Sequence, residues 1–213
     1  MADIIRRRGM LTLYKSDIDW DYEWDYSMGL LENNGWAKTV SGSAASSMID
    51  SGQKLTSAYG AYVRLAAPSQ YLTMNSGIIE VRAVCSYQIG STDATGGGCQ
   101  NLRIGLSNGT NGIATVVNGS TRSGATQIGL KLMNASSGNP SAATHVAPWV
   151  SGEEHTIRLV LNNGVADVFV DGALKMDNIG SSTIYYTTMT AVWSQSQLNG
   201  ETILKYVKLK KIA

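Results

Sequence analysis

Charge is scarce in this sequence: Asp, Glu, Lys and Arg make up 15% of its 213 residues, where soluble domains carry roughly a quarter. The surface must therefore be built largely from Ser, Thr, Asn, Gln and Gly, a neutral and hydrogen-bonding exterior. The formal net charge is only +1. That balance argues against nucleic acid as the main partner, because phosphate binding needs a concentrated positive field. Cysteine and histidine are equally sparse. Cys85 and Cys99 stand without a CxxC spacing, and His145 and His155 lie far from them in sequence, so the ligand pattern of a zinc site is missing. No window approaches the roughly 18 consecutive apolar residues of a membrane span. The apolar stretch Met10–Leu13 is too short for the core of an export signal, and charged Lys15 and Asp17 follow at once. The expectation is a chain made in the cytoplasm without a signal peptide, with no membrane partner, no cofactor and no bound metal.

What is present is apolar material in a strand period. Hydrophobic residues make up 43% of the chain, enough for one packed core, and a domain of about 200 residues buries roughly 70% of its unfolded surface. Ile79, Val81 and Ala83 alternate with Glu80 and Arg82, and Leu102–Leu106 and Ile128–Met133 repeat the pattern. In His155–Asn162, Ile157, Leu159 and Leu161 alternate with Thr156, Arg158 and Val160. Val165–Val170 follows after Asn163-Gly164, and Ala173–Met176 follows after Asp171-Gly172. Such pairs supply the positive φ angles that a two-residue type I′ turn requires, so residues 155–176 are predicted to form a three-strand meander. Two further strands are expected over Ile184–Ser194 and Ile203–Ile212. The Gly-, Ser-, Asn- and Thr-rich stretches 41–47, 90–101, 107–126 and 134–144 are expected to be loops. The segment 90–126 is long enough to bind something or to hide short strands. No amphipathic helix, internal repeat or linker stands out. One domain, residues 15–213, follows a short N-terminal arm, residues 1–14. Cys85 falls in a predicted strand and Cys99 after a Gly-rich loop, which leaves a bridge between them geometrically conceivable.

The segment His155–Leu159, followed by Ala166-Asp167-Val168-Phe169-Val170-Asp171-Gly172, resembles a recurrent stretch of the concanavalin A-like lectin and glucanase superfamily, which includes laminin G-like domains. Tyr22–Gly35-Trp36 resembles its opening strand and Gly-Trp turn, Gly77–Arg82 a following strand, and Thr202–Ile212 its closing strand near the N-terminus. The resemblance spans roughly residues 20–212. It implies an all-β, two-sheet antiparallel jelly-roll β-sandwich, and it leaves function open among lectins, glycosidases and structural modules. The opening Met1–Met10, with its triple arginine, is similar to small bacteriophage structural proteins, which implies a virion or surface assembly as the location.

Several constellations bear on chemistry. Asp17, Asp19, Asp21, Glu23 and Asp25 alternate with Trp20, Tyr22, Trp24 and Tyr26, so an extended chain carries acids on one face and aromatics on the other. Asp19-Trp20-Asp21-Tyr22-Glu23 is similar to the acid motif of laminarinase-type glucanases, departing by an Asp in the first position and by its place at the start of the domain. A retaining glycosidase needs two carboxyls about 5–5.5 Å apart. The alternatives are an acid row solvated on a sheet edge, with Trp20, Trp24 and Trp36 buried, or a row that binds a cation such as Ca²⁺. Sugar binding needs aromatic platforms with amide partners. Trp193, Gln195, Trp149 and Tyr186 are the candidates, with Tyr185 and Gln197 beside them. His145 and His155 have no nucleophile context for a triad, and Gly96-Gly97-Gly98 lacks what a phosphate loop needs.

The sequence therefore predicts a non-catalytic recognition module that binds a glycan or host-surface polysaccharide. The alternatives are a structural or decoration protein that docks on virion or assembly partners through Arg6, Arg7 and Arg8, and a laminarinase-like hydrolase. A homo-oligomer is compatible with either non-catalytic reading.

Overall fold

The computed structural model describes residues 3–7, 10–14, 18–57, 61–68, 70, 76–87, 98–107, 112–120, 126–133, 144–148, 152–162, 165–180, 193–194 and 200–212. The N-terminal arm contains a hairpin of β1 (Asp3–Arg7) and β2 (Met10–Tyr14), in register from Asp3 opposite Tyr14 to Arg7 opposite Met10. This hairpin is a two-stranded sheet of its own. After β3 (Tyr22–Asp25) come two 3₁₀ turns, Tyr26–Met28 and Leu31–Asn34. The chain continues through β4 (Ala37–Ser41), β5 (Ala45–Ile49), β6 (Gly52–Ser57), β7 (Tyr62–Ala66) and β8 (Ser76–Tyr87). Next are β9 (Gly98–Ser107), β10 (Gly112–Ser120), β11 (Thr126–Met133) and β12 (Thr144–Pro148). The last five are β13 (Glu154–Asn162), β14 (Val165–Val170), β15 (Ala173–Gly180), β16 (Trp193–Ser194) and β17 (Gly200–Lys211).

These strands form two antiparallel sheets. One has seven strands in the order β12-β11-β10-β9-β16-β7-β4. The other follows β15-β14-β13-β8-β17-β6-β5, with β3 pairing to β17. The core lies between them, as the alternation requires. Ile79, Val81 and Ala83 of β8 stand opposite Leu159, Ile157 and His155 of β13, and opposite Leu209, Val207 and Leu204 of β17. Ile79, Val81, Ala83, Leu159, Ile157, Leu209, Val207 and Leu204 are at most 2% exposed, as are Val63 and Leu65 from β7 of the facing sheet. Each large apolar side chain buried this way contributes about 1.5–3 kcal/mol. The predicted Asp171-Gly172 turn is present between Val170 and Ala173, which stand opposite one another; Asn162 stands opposite Val165, and residues 163–164 lie outside the described residues. Asp171 and Gly172 have φ of 50° and 77°, the signature of a type I′ turn.

Trp24 and Trp36 are buried as expected, and Trp24 donates its indole N–H to the Gly29 carbonyl at 2.9 Å. Trp20 and Ile18 pack with Ile212 over a second apolar cluster of Ile78, Val160 and Phe169, on the outer side of the β8 sheet. Gln53 is fully buried, yet its amide is satisfied: Oε1 accepts from the Leu31 N–H and Nε2 donates to Glu32 and Ser46, each at 2.9 Å. It thereby ties the second 3₁₀ turn to β6.

Some loop expectations are corrected. β5 takes up much of 41–47, β10 occupies Gly112–Ser120 within 107–126, β9 begins at Gly98, and β12 begins at Thr144. Hydrogen bonding to neighbouring strands overrides the weak strand preference of Gly, Asn and Ser there. Of the strand expected over Ile184–Ser194, the described part is Trp193–Ser194. Cys85 is buried with Sγ 3.7 Å from Thr202 Oγ1; the side chain of Cys99 lies outside the described residues.

Candidate functional site

The acid row of the first strand meets a row of lysines. Regular pairing is confined to Tyr22–Asp25, where Glu23 stands opposite Lys208 and Trp24 opposite buried Val207. This puts Glu23 and Asp25 on the outer face of the β8 sheet. Lys208 reaches Glu23 at 2.7 Å, and Lys210 reaches Asp21 at 2.8 Å while the Lys211 N–H donates to the same carboxylate at 2.7 Å. The Lys210 hydrogen bond, helped by the Lys211 amide, holds the Asp21 carboxyl below the usual range. A glycosidase general acid needs the opposite shift, a carboxyl kept protonated near neutral pH. Asp25 accepts from the Ser27 N–H at 2.8 Å and from its hydroxyl at 2.5 Å, capping the first 3₁₀ turn, and the same bonds keep its carboxyl ionised. Asp19 is exposed. Among the described residues no three His, Cys, Asp or Glu side chains gather as a metal site.

Further along the same face, Glu80 is 6% exposed and accepts from Arg158 Nε at 2.5 Å and from the Tyr206 hydroxyl at 2.9 Å. Burial, reinforced by the Glu80 charge, pushes the Tyr206 hydroxyl above its ordinary pKa. His155 Nδ1 lies 2.7 Å from Asp171 Oδ2, while Asp171 Oδ1 accepts from the Thr156 N–H at 2.9 Å. This locks the Asp171-Gly172 turn onto β13, a structural task that leaves His155 in no nucleophilic arrangement.

The seven-stranded sheet has a different character. In β7, Val63 and Leu65 enter the core, so Tyr62 and Arg64 belong to its outer face. The Arg64 guanidinium lies 5.2 Å from the Tyr62 ring centroid. Trp193 occupies the register position directly opposite Tyr62 on one side and Gln100 on the other. Gln100 stands opposite Asn118, and Asn118 opposite Gln127. Positions directly opposite in antiparallel strands share a face. One row thus crosses five strands on the outer face: Tyr62, Trp193, Gln100, Asn118 and Gln127. Of the sequence candidates, Trp193 falls in this row. Gln195, Trp149 and Tyr186 lie outside the described residues, with Trp149 immediately following β12. Arg6 and Arg7 are in β1, and Arg8 lies outside the described residues. Tyr62, Arg64 and the amides of the row were not expected from sequence, although the alternation Tyr62-Val63-Arg64-Leu65 carried the signal for the first two.

No family model matches the chain, and no curated protein matches it. Solved structures do. The Emp46p carbohydrate recognition domain in its potassium-bound form is similar with a TM-score of 0.60 at 14% identity, covering 90% of this chain and 98% of that one. The carbohydrate-binding module CBM66 from Bacillus subtilis gives 0.53 at 10% identity, covering 83% and 96%. A glycosyl hydrolase family protein from Mycobacterium fortuitum gives 0.54 at 11% identity, covering 90% and 100%. What these proteins share with this chain is the fold, a two-sheet antiparallel β-sandwich.

Proposed function

We propose that this chain is a non-catalytic carbohydrate-binding module. The observation that carries the reading is the row Tyr62, Trp193, Gln100, Asn118 and Gln127 across the outer face of the seven-stranded sheet. Aromatic rings offer platforms for the apolar face of a pyranose, and primary amides both donate to and accept from its hydroxyls. The names of the Emp46p domain and CBM66 state carbohydrate recognition for those proteins, which supports the same role on the same fold here. The strands of the seven-stranded sheet contain no Asp or Glu. A hydrolase with two carboxylates therefore has nothing to work with on those strands. A glycan array followed by calorimetric titration of its hits tests the proposal: saturable binding of at least one glycan is expected, and no binding to any glycan at millimolar concentration contradicts it.

A second reading rests on the N-terminal hairpin. A two-stranded hairpin is marginally stable alone in water, and among the described residues β1–β2 pairs with no strand of either sheet of the sandwich. A hairpin carrying Arg6 and Arg7 is therefore suited to dock on an acidic partner in a virion or surface assembly, while the sandwich projects outward. Deleting residues 1–14 separates the two roles: assembly is lost and glycan binding is retained.

A further inference from the structure

Acidic residues are divided unevenly between the two sheets. On the β8 sheet five of the eight Lys and Arg side chains of the strands have a carboxylate within 2.8 Å: Lys208 with Glu23 at 2.7 Å, Lys210 with Asp21 at 2.8 Å, and Arg158 with Glu80, Arg82 with Glu154 and Lys54 with Glu201 at 2.5 Å. The seven-stranded sheet has no acid in any strand, and residues 94–152, which include β9 to β12, contain no Asp or Glu. Its strands nevertheless carry Lys38, which pairs with Glu32 of the second 3₁₀ turn, and three further cations, Arg64, Arg103 and Lys131.

The register brings these three to one end of the outer face. β7, β9 and β11 run in the same direction, since each is separated from the next by one antiparallel strand. Arg64 lies two residues beyond Tyr62. A bulge at β9 then sets Leu102 opposite Val117 and Arg103 opposite Val116, which puts Arg103 on the outer face three residues beyond Gln100. Lys131, opposite Ala114, lies four residues beyond Gln127 on the same face. All three cations therefore stand past the Tyr62–Trp193–Gln100 row on the same side of it. β7 and β9 flank β16, so the Arg64 and Arg103 backbones are about 10 Å apart. Arg64 is also uncompensated in a direct sense. Among the described residues its guanidinium has no carboxylate partner, and its buried Nε has no hydrogen-bond acceptor.

Cations brought to one end of a sheet whose strands hold no acid focus a positive potential, which attracts anions and orients them. Guanidinium forks match a carboxylate or sulfate through two parallel hydrogen bonds. We infer that the outer face of the seven-stranded sheet selects anionic glycans. The saccharide ring sits on the Trp193 row, and its carboxylate or sulfate is held by Arg64 and Arg103, with Lys131 adding field. This rests on the carbohydrate-binding reading above and names its ligand class.

The test measures binding of the full chain to matched pairs of immobilised glycans. The pairs are polygalacturonate and its methyl ester, a sialylated glycan and its desialylated form, and chondroitin sulfate and desulfated chondroitin. Polyuridylate serves as a polyanion without pyranose rings. The expected result is at least one acidic glycan bound about tenfold or more tighter than its neutral partner. That preference shrinks as NaCl rises from about 50 mM to about 300 mM. The carboxylate and sulfate pairs identify which anion is read. Arg103→Ala and, independently, Arg64→Gln are expected to bring the acidic glycan's affinity down to that of its neutral partner in the same variant; the second variant covers the case in which the first does not fold. Neutral and acidic partners bound equally would overturn the inference and leave the carbohydrate-binding reading standing. Failure of every glycan overturns both. Polyuridylate bound as tightly as the best glycan overturns the inference in favour of a general polyanion site.

Discussion

Trp193 stands directly opposite Tyr62 in the seven-stranded sheet, and its own strand, β16, is held between β7 and β9. A two-residue strand in mid-sheet is anchored by its neighbours on both sides, so the position of Trp193 is fixed by the ladder. Two aromatic residues at facing register positions on an outer sheet face are the basis of the sugar platform proposed above.

The Tyr62 half of that platform gives the first prediction. Tyr62→Ala is expected to weaken glycan binding about tenfold. Its effect on the melting temperature stays small, because Tyr62 is half-buried while Val63 and Leu65 beside it form the core. Calorimetric titration and thermal unfolding of the same preparation measure both. Unchanged affinity removes Tyr62 from the site.

Removal of the buried carboxylate on the opposite sheet should be costly to stability. Glu80→Ala leaves Arg158 and the Tyr206 hydroxyl without their shared acceptor. Breaking one side of a buried ion pair costs about 3 kcal/mol or more. The double variant Glu80→Ala with Arg158→Met should lose much less than the sum of the two single changes. Urea unfolding of the four proteins measures that coupling, and simple additivity contradicts the pairing.

Gly52 is expected to resist any side chain. Its φ is +150°, and a Cβ there comes 2.5 Å from the Leu204 carbonyl oxygen and 2.6 Å from Ile203 Cγ2. The first neighbour is backbone of a central strand and cannot yield. Gly52→Ala should cost about 2 kcal/mol from the close contact and the left-handed backbone together, seen as a lower melting temperature. At Gly172, φ is +77° but no atom lies within 4 Å, so alanine there should cost less.

Acid should unfold the protein through its bonded carboxyls. Burial alone raises the Asp171 carboxyl, but the Thr156 amide and the His155 ring outweigh it and hold the group below its ordinary pKa. Asp21 and Asp25 are lowered as well. A carboxyl depressed in the folded state adds stability above its unfolded pKa, about 3.9, and loses it as pH falls through the folded value. Stability should therefore be flat near neutrality in these groups and fall below about pH 4. Asp171→Asn should make that acid limb shallower, as measured by denaturant titrations at stepped pH. An unchanged limb contradicts the role assigned to Asp171.

Much of this architecture was legible in the sequence where local and long-range preferences agree. Asp171-Gly172 names its turn because few other residue pairs take positive φ, and the alternation of Ile79, Val81 and Ala83 marks a strand that the sandwich then buries. β10 was obscured because Gly, Asn and Ser prefer turns in isolation. Its pairing to β9 and β11 decides the matter, and Ile113, Thr115 and Val117 were the faint period-two trace of it. The proposed binding row was harder still. Trp193 could be singled out as a residue type suited to sugar, but its neighbours Tyr62 and Gln100 are 131 and 93 positions away in sequence. Only the strand order brings them together. The acids at 17–25 were conspicuous in sequence, and two of them, Asp21 and Glu23, proved to be paired with Lys210 and Lys208 from the far end of the chain.

The most direct test of the account compares the two outer faces of the sandwich. Affinity for the best array glycan is measured by calorimetry for the unaltered chain, for Trp193→Ala and for Lys208→Ala, with unfolding curves to confirm that each is folded. Lys208 pairs with Glu23 on the β8 sheet, so its loss should leave glycan affinity unchanged, whereas Trp193→Ala should reduce affinity about tenfold or more. A folded Trp193→Ala protein that binds as tightly as the unaltered chain, or a loss of binding on Lys208→Ala alone, contradicts a binding site on the seven-stranded sheet.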